Sequence, residues 1–185
     1  SETNYKRQKE TSLAVLKEGE NALNSLAGCY IDELTLYEQY LDPANIRLLS
    51  ISLGNPFLQF SKADTEKKVQ DTQKILAEKI TPRVVPLQND VTQSNVFLLE
   101  IEKMRATVVA AESFTKLDEA TRTFLDTRTR WHDPVRAGEA GNEAEAIKRE
   151  VDPIVEQAKI DLTACSATRQ QMRDFFKAND VKPAA

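Results

Sequence analysis

Both ends of this chain carry a long apolar stripe at helical spacing, and any fold of the chain has to take both stripes out of water. Near the start, Leu13, Leu16, Leu23, Ala27, Tyr30, Leu34, Tyr37 and Leu41 recur at steps of three and four, with one gap at Glu20. Near the end, Ile147, Val151, Ile154, Ala158, Leu162, Cys165, Met172 and Phe176 keep a similar beat. Side chains at these steps line up along one face of an α-helix, which must pack against other helices.

The spacing predicts a first helix from about Thr3 to Leu41, stopped by Asp42-Pro43 because a proline disfavours helix for the residue before it. In residues 44–60 (ANIRLLSISLGNPFLQF), Leu49, Ile51 and Leu53 alternate like a strand, while Ile46, Leu49 and Leu53 fit a helix. Both readings stay open, with a turn at Gly54-Asn55-Pro56. This stretch is expected to plug the end of a bundle or to offer an apolar patch to a partner. A second helix begins near Asp64, a good N-cap. Pro82 and Pro86 interrupt the pattern, since an interior proline removes a backbone hydrogen bond. The apolar beat nevertheless passes through Ile80, Val84, Leu87 and Val91, which predicts a kinked helix and not a hairpin.

Near Ser113 to Thr115 the stripe shifts phase to Phe114, Leu117, Phe124 and Trp131. Either a turn sits there, capped by Thr115 with Asp118 three residues on, or one long helix carries a stutter; the turn is the favoured reading. Asp133-Pro134 ends that segment. The stretch VRAGEAGN, with two of the five glycines, reads as a loop. Asn142 then caps a final helix to about Lys177, bent at Pro153. The predicted fold is all-α: a single domain over 1–185, an elongated antiparallel four-helix bundle with a proline-kinked inner helix. First and last helices run antiparallel in it, which puts both termini at one end.

A net charge of −4 argues against general nucleic-acid binding and against adhesion to anionic lipid. No run approaches the roughly 20 apolar residues of a membrane-spanning helix. The chain opens on Ser1; methionine removal and excision from a longer protein are both open readings. One histidine, His132, rules out paired-histidine metal sites, and no nucleophile elbow or phosphate loop is present. The expectation is a non-enzyme with no catalytic residues, no metal and no cofactor. Cys29 and Cys165 have no motif spacing. Placed on level, antiparallel helices they lie about 20 Å apart, too far for a disulfide, which predicts two free and mostly buried thiols.

Charged residues at seam positions are the remaining candidates. Arg105 falls between Ile101 and Val108, and Arg128 between Phe124 and Trp131. A guanidinium held in a seam can grip a carboxylate, or its stem can pack while the charge reaches water. The antiparallel arrangement would bring Tyr30, Tyr37 and Tyr40 to the end that holds Arg128 and Trp131. The candidate ligand-binding set is Tyr30, Tyr37, Arg105, Arg128 and Trp131, lining a pocket for a small anion.

The stretch FLDTRTRWHDPVRAGEAGNEAEAIKREVDPIVEQAKIDL resembles part of the four-helix-bundle sensor domains of bacterial methyl-accepting chemotaxis receptors. Phe124 to Ala137 is similar to the arginine-bearing end of their third helix, Gly138 to Asn142 to the loop, and Glu143 to Pro153 to the start of the fourth. The first helix departs from the pattern by lacking an arginine cluster, and the middle of the chain is long for the smallest members. No ligand residue is carried over from the family. The resemblance implies a periplasmic sensor domain of an inner-membrane receptor, a homodimer along helix one. It would bind a small organic acid or amino acid and signal by helix displacement. It would meet the membrane only through flanking segments absent here, and, as the charge already implies, no nucleic-acid partner is expected. The alternative is a non-enzymatic helical envelope or adaptor protein acting through protein–protein contacts, with residues 44–60 as its surface.

Overall fold

The computed structural model describes residues 3–42, 45, 62–131 and 134–184, the side chain of Pro134 excepted. The protein is all-α, and no strand occurs among the described residues. Helix α1 covers Asn4–Tyr40 and α2 covers Lys62–Ile75. A π-turn at Leu76–Ile80 leads directly into α3, Thr81–Val109. Helix α4 is Phe114–Trp131 and α5 is Pro134–Ala178. The expectations for residues 44–60 fall outside the described residues, apart from Asn45, and so do those for His132.

The chain divides into two compact units. The first comprises Ser1–Lys17 and Pro82–Asp152, the second Glu18–Thr81 and Pro153–Ala185. In the first, Arg136 lies over the Tyr5 ring, Gly141 sits beside Gln8, and Lys9 pairs with Glu143 at 2.8 Å. In the second, Glu18 pairs with Lys159, Cys29 with Cys165, Asp32 with Arg169, and Tyr40 stacks on Phe176. Partner numbers rise together in both units, so α1 and α5 run parallel. This corrects the antiparallel arrangement expected of the first and last helices.

The reason lies in how often the chain reverses. Helix α2 runs against α1, since Thr65 meets Glu33 and Lys68 meets Tyr30. Helix α4 runs against α3, since Trp131 stacks on Phe97 and Arg105 lies over Phe124. Helix α5 also runs against α3: Arg83 pairs with Glu150, while Lys9 bridges Asp90 and Glu143. Helices α4 and α5 therefore point the same way. Among the described helices the direction changes from α1 to α2 and again from α3 to α4, which leaves the first and last helices parallel.

The chain stays helical past both prolines of the middle segment, as the uninterrupted apolar beat predicts. Pro82 has no N–H, and in an unbroken α-helix its ring would press on the Glu78 carbonyl. The π-turn ahead of it shifts the hydrogen bonding by one residue, with the Thr81 N–H donating to the Leu76 carbonyl. The turn expected near Ser113 is present, but Ser113 and not Thr115 is the cap: its hydroxyl accepts from the Lys116 N–H at 3.2 Å.

The expected loop VRAGEAGN is helix. Ala137, Ala140 and Ala144 are buried and continue the stripe of Ile147 and Val151 back to the start of α5. Pro134 suits the first helical turn, where its missing N–H costs nothing. Gly141 meets the Gln8 side chain, the nearest atom 3.7 Å from where its Cβ would lie, whereas a Cβ on Gly138 would meet nothing within 4 Å. Gly138→Ala is therefore expected to stabilise the protein by about 0.5–1 kcal/mol through helix propensity alone. Urea unfolding reads this, and a glycine required by a loop would give the opposite sign.

Candidate functional site

The second unit has helices on three sides of its interior, but α2 contributes little apolar volume. Its only buried residues are Thr65 and Thr72, two threonines a heptad apart where a close-packed seam would carry leucine or isoleucine. Opposite them α5 presents Ala158 and Ala164. Short side chains on both walls leave a cleft of about 520 Å³ between α1, α2 and α5. Leu23, Leu26, Ile75 and Ile154 supply its apolar lining, and Tyr30, Glu33, Lys68, Asp71 and Asp161 its polar one.

Glu33 is the most constrained group in this wall. It is 4% exposed and accepts a hydrogen bond from the Thr65 hydroxyl at 3.1 Å. Burial pushes its carboxyl above the ordinary value of 4.5, opposed in part by hydrogen bonds from Thr65 and Tyr37 and by the charges of Lys68 and Arg169. Burial likewise raises the Tyr30 phenol, helped by Asp161 and Glu33, so the ring keeps its proton and stays neutral. The Lys68 ammonium lies 5.7 Å from the Tyr30 ring centroid. Arg169 donates to Asp32 at 2.7 Å and so holds α5 to α1 beside the cleft.

The sign of the Glu33 effect follows from proton linkage. A carboxyl raised in the fold binds its proton more tightly there than in the unfolded chain. Its favourable contribution is complete below 4.5 and is lost as pH rises through the folded value. Glu33→Gln, which keeps the shape and an acceptor for Thr65, should leave stability unchanged near pH 4 and raise it at neutral pH. Urea unfolding across that range tests this; a loss at neutral pH would show that the ionised group is net stabilising.

Cys29 and Cys165 form a disulfide at the edge of this site, with Cα atoms 6.4 Å apart, and Cys165 lines the cleft. Two free thiols were expected because both distances were reckoned from one end of an antiparallel pair. In the parallel pair the offset is nearly constant, 136 between the cysteines and 137 between Asp32 and Arg169, which sets the two sulfurs level.

The five residues singled out in the sequence fall into two groups. Tyr30 and Tyr37 belong to the second unit and are buried, Tyr30 at the cleft and Tyr37 in a cluster with Leu36, Met172 and Phe176. Arg105, Arg128 and Trp131 belong to the first unit. Arg105 is exposed with its guanidinium 5.6 Å from the Phe124 ring centroid, Arg128 is exposed on α4, and Trp131 stacks on Phe97 at 5.4 Å. Neither unit holds the full set.

Glu33 was missed, although a strict alternation of three and four finds it. Leu16, Leu23, Leu26, Tyr30, Glu33 and Tyr37 share one seam, and Glu33 is its single charge. Among the described residues, no group of three or more potential ligands is placed to hold a metal, and no helix is long and apolar enough to cross a membrane. No family model matches the chain, and no significant similarity to a curated protein or a solved structure is found.

Proposed function

We propose that this chain is a non-enzymatic ligand-binding domain of an oxidising, extracytoplasmic compartment, with the cleft between α1, α2 and α5 as its binding site. The observation that carries the reading is Glu33, an ionisable group kept in the wall of a cleft large enough for a small molecule. A buried carboxyl costs folding free energy that a leucine there would not. The disulfide supports the compartment, since such bonds persist where the surroundings are oxidising. The receptor topology implied by the family resemblance needs antiparallel first and last helices. With α1 and α5 parallel in both units, the reading keeps ligand binding and location but not that topology.

A thermal-shift screen of small organic and amino acids, amines and neutral fragments tests the reading. A ligand should raise the unfolding temperature by mass action, and its resonance shifts should centre on Tyr30, Thr72 and Ala158. A broad screen with no stabilising compound, or hits that map only to α4, would overturn it.

A second reading, as an adaptor, rests on α4. That helix buries no residue, and Phe114, Leu117 and Leu125 are exposed on it, with Leu99 and Val109 exposed on the facing end of α3. Apolar area of this kind on a helical hairpin marks a surface for another protein.

A further inference from the structure

Resting on the cleft as the binding site, we infer that its ligand is an organic cation: an apolar body carrying a protonated amine or amidinium. The charges on the wall decide the sign. Glu33, Asp71 and Asp161 share the lining with one ammonium, that of Lys68, and the Arg169 guanidinium beside it is matched by Asp32, so an entering anion meets net repulsion and an entering cation net attraction. The small anion expected from seam arginines is disfavoured here, and the two arginines that suggested it belong to the other unit.

The protein already places a cation at this position. Lys68 holds its ammonium over the Tyr30 ring, where the π face attracts positive charge. Lys68 is exposed, so its flexible stem can swing into water and give up the place to a ligand ammonium. Glu33 cannot move in this way. It is fixed between Thr65 and Tyr37, and its charge is poorly solvated. An arriving ammonium supplies the counter-charge that water does not, and Asp161 stands across the cleft to accept a second hydrogen bond. Leu23, Leu26, Ile75 and Ile154 receive the apolar body. The volume suits a single aromatic or alicyclic ring system with a short amine tail.

The test is calorimetry with matched triplets that share one body and differ in the head group. Tryptamine, indole-acetate and tryptophol form the first set; benzylamine, benzoate and benzyl alcohol form the second. The amine is expected to bind at least about tenfold more tightly than the carboxylate of its set, a gap of about 1.4 kcal/mol. Glu33→Gln should cut amine affinity about tenfold and leave the alcohol unchanged, while Lys68→Met should tighten the amine. Circular dichroism and the melting temperature confirm that both variants are folded. If the carboxylate or alcohol binds as well as the amine, or Glu33→Gln leaves the amine unaffected, the cation assignment falls and the cleft reading stands. If no member of either set binds at millimolar concentration and no screened compound stabilises the protein, the cleft reading falls and takes this inference with it.

Discussion

Reducing the Cys29–Cys165 disulfide is expected to cost about 3–5 kcal/mol of stability and to lower the melting temperature by roughly 10 °C or more. The bond closes a loop with a sequence separation of 136, so most of the chain lies between its ends. Cross-linking removes entropy from the unfolded chain in proportion to the logarithm of that length, and the top of the range corresponds to a loop of this size. The folded state has a second reason to depend on the bond. It ties α1 to α5 beside a cleft where α2 fills little space, so fewer apolar contacts stand ready to replace it. Thermal unfolding with and without reductant, together with Cys29→Ala/Cys165→Ala, measures the effect. Hydrogen exchange should quicken first in residues 23–37 and 154–172. A thiol count on the protein unfolded without reductant should find no free thiol; two would restore the free-cysteine expectation.

The helices were legible because burial demands the stripes that mark them. Leu16, Leu23, Ile147, Val151, Met172 and Phe176 all fall on the helical spacing and all are buried. Even the passage through Pro82 followed from the beat continuing beyond it. Direction was not legible, because a 3–4 alternation reads the same along parallel and antiparallel neighbours. Direction depends on which breaks reverse the chain, and proline and glycine mark breaks without distinguishing a corner from a continuation. The reversal assigned to residues 133–142 gave the wrong parity, and the cysteine distance failed with it.

The site was hidden for a related reason. Apolar periodicity finds what is buried for being apolar, whereas this cleft is built from buried residues that are not: Glu33, Thr65 and Thr72. Arg105 and Arg128 stand out in the sequence because they interrupt apolar stripes, whereas Glu33 does not, because the stripe of α1 can be drawn through Leu34 beside it. Leu34 is only half-buried, and Glu33 holds the inward position. A single residue of phase, about 100° around a helix, separates the two assignments and decides whether a carboxylate faces water or the core.

Phe176→Ala should be the most damaging single substitution on α5, with an expected loss of about 3–5 kcal/mol. Phe176 is 2% exposed and stacks on Tyr40 with ring centroids 4.5 Å apart and planes 4° from parallel. It packs with Leu36, Tyr37 and Met172, so truncation leaves a cavity bounded by helices that cannot easily close over it. The same residue anchors the end of α5. Asp180 adopts a positive φ of 50°, the Asp180 N–H donates to the Lys177 carbonyl, and the Val181 N–H donates back to the Phe176 carbonyl at 2.8 Å. This hydrogen-bond pair terminates a helix with a left-handed residue and is usually sealed by an apolar contact across it, here Val181 against the Phe176 cluster. Beyond it, the Ala184 N–H donates to the Gln39 carbonyl at 2.7 Å and ties the tail to the end of α1. Removing the ring therefore takes away core volume, the stack on Tyr40 and the apolar half of the helix stop together. Phe176→Leu separates these contributions: it retains most of the volume and the apolar contact but no stack, and should lose about 1–2 kcal/mol. Urea unfolding of both variants gives the two numbers, and hydrogen exchange at Val181 and Ala184 should rise sharply in the alanine variant and modestly in the leucine one. Equal losses in the two would mean that the stack on Tyr40 carries the whole effect and that the filled volume contributes nothing.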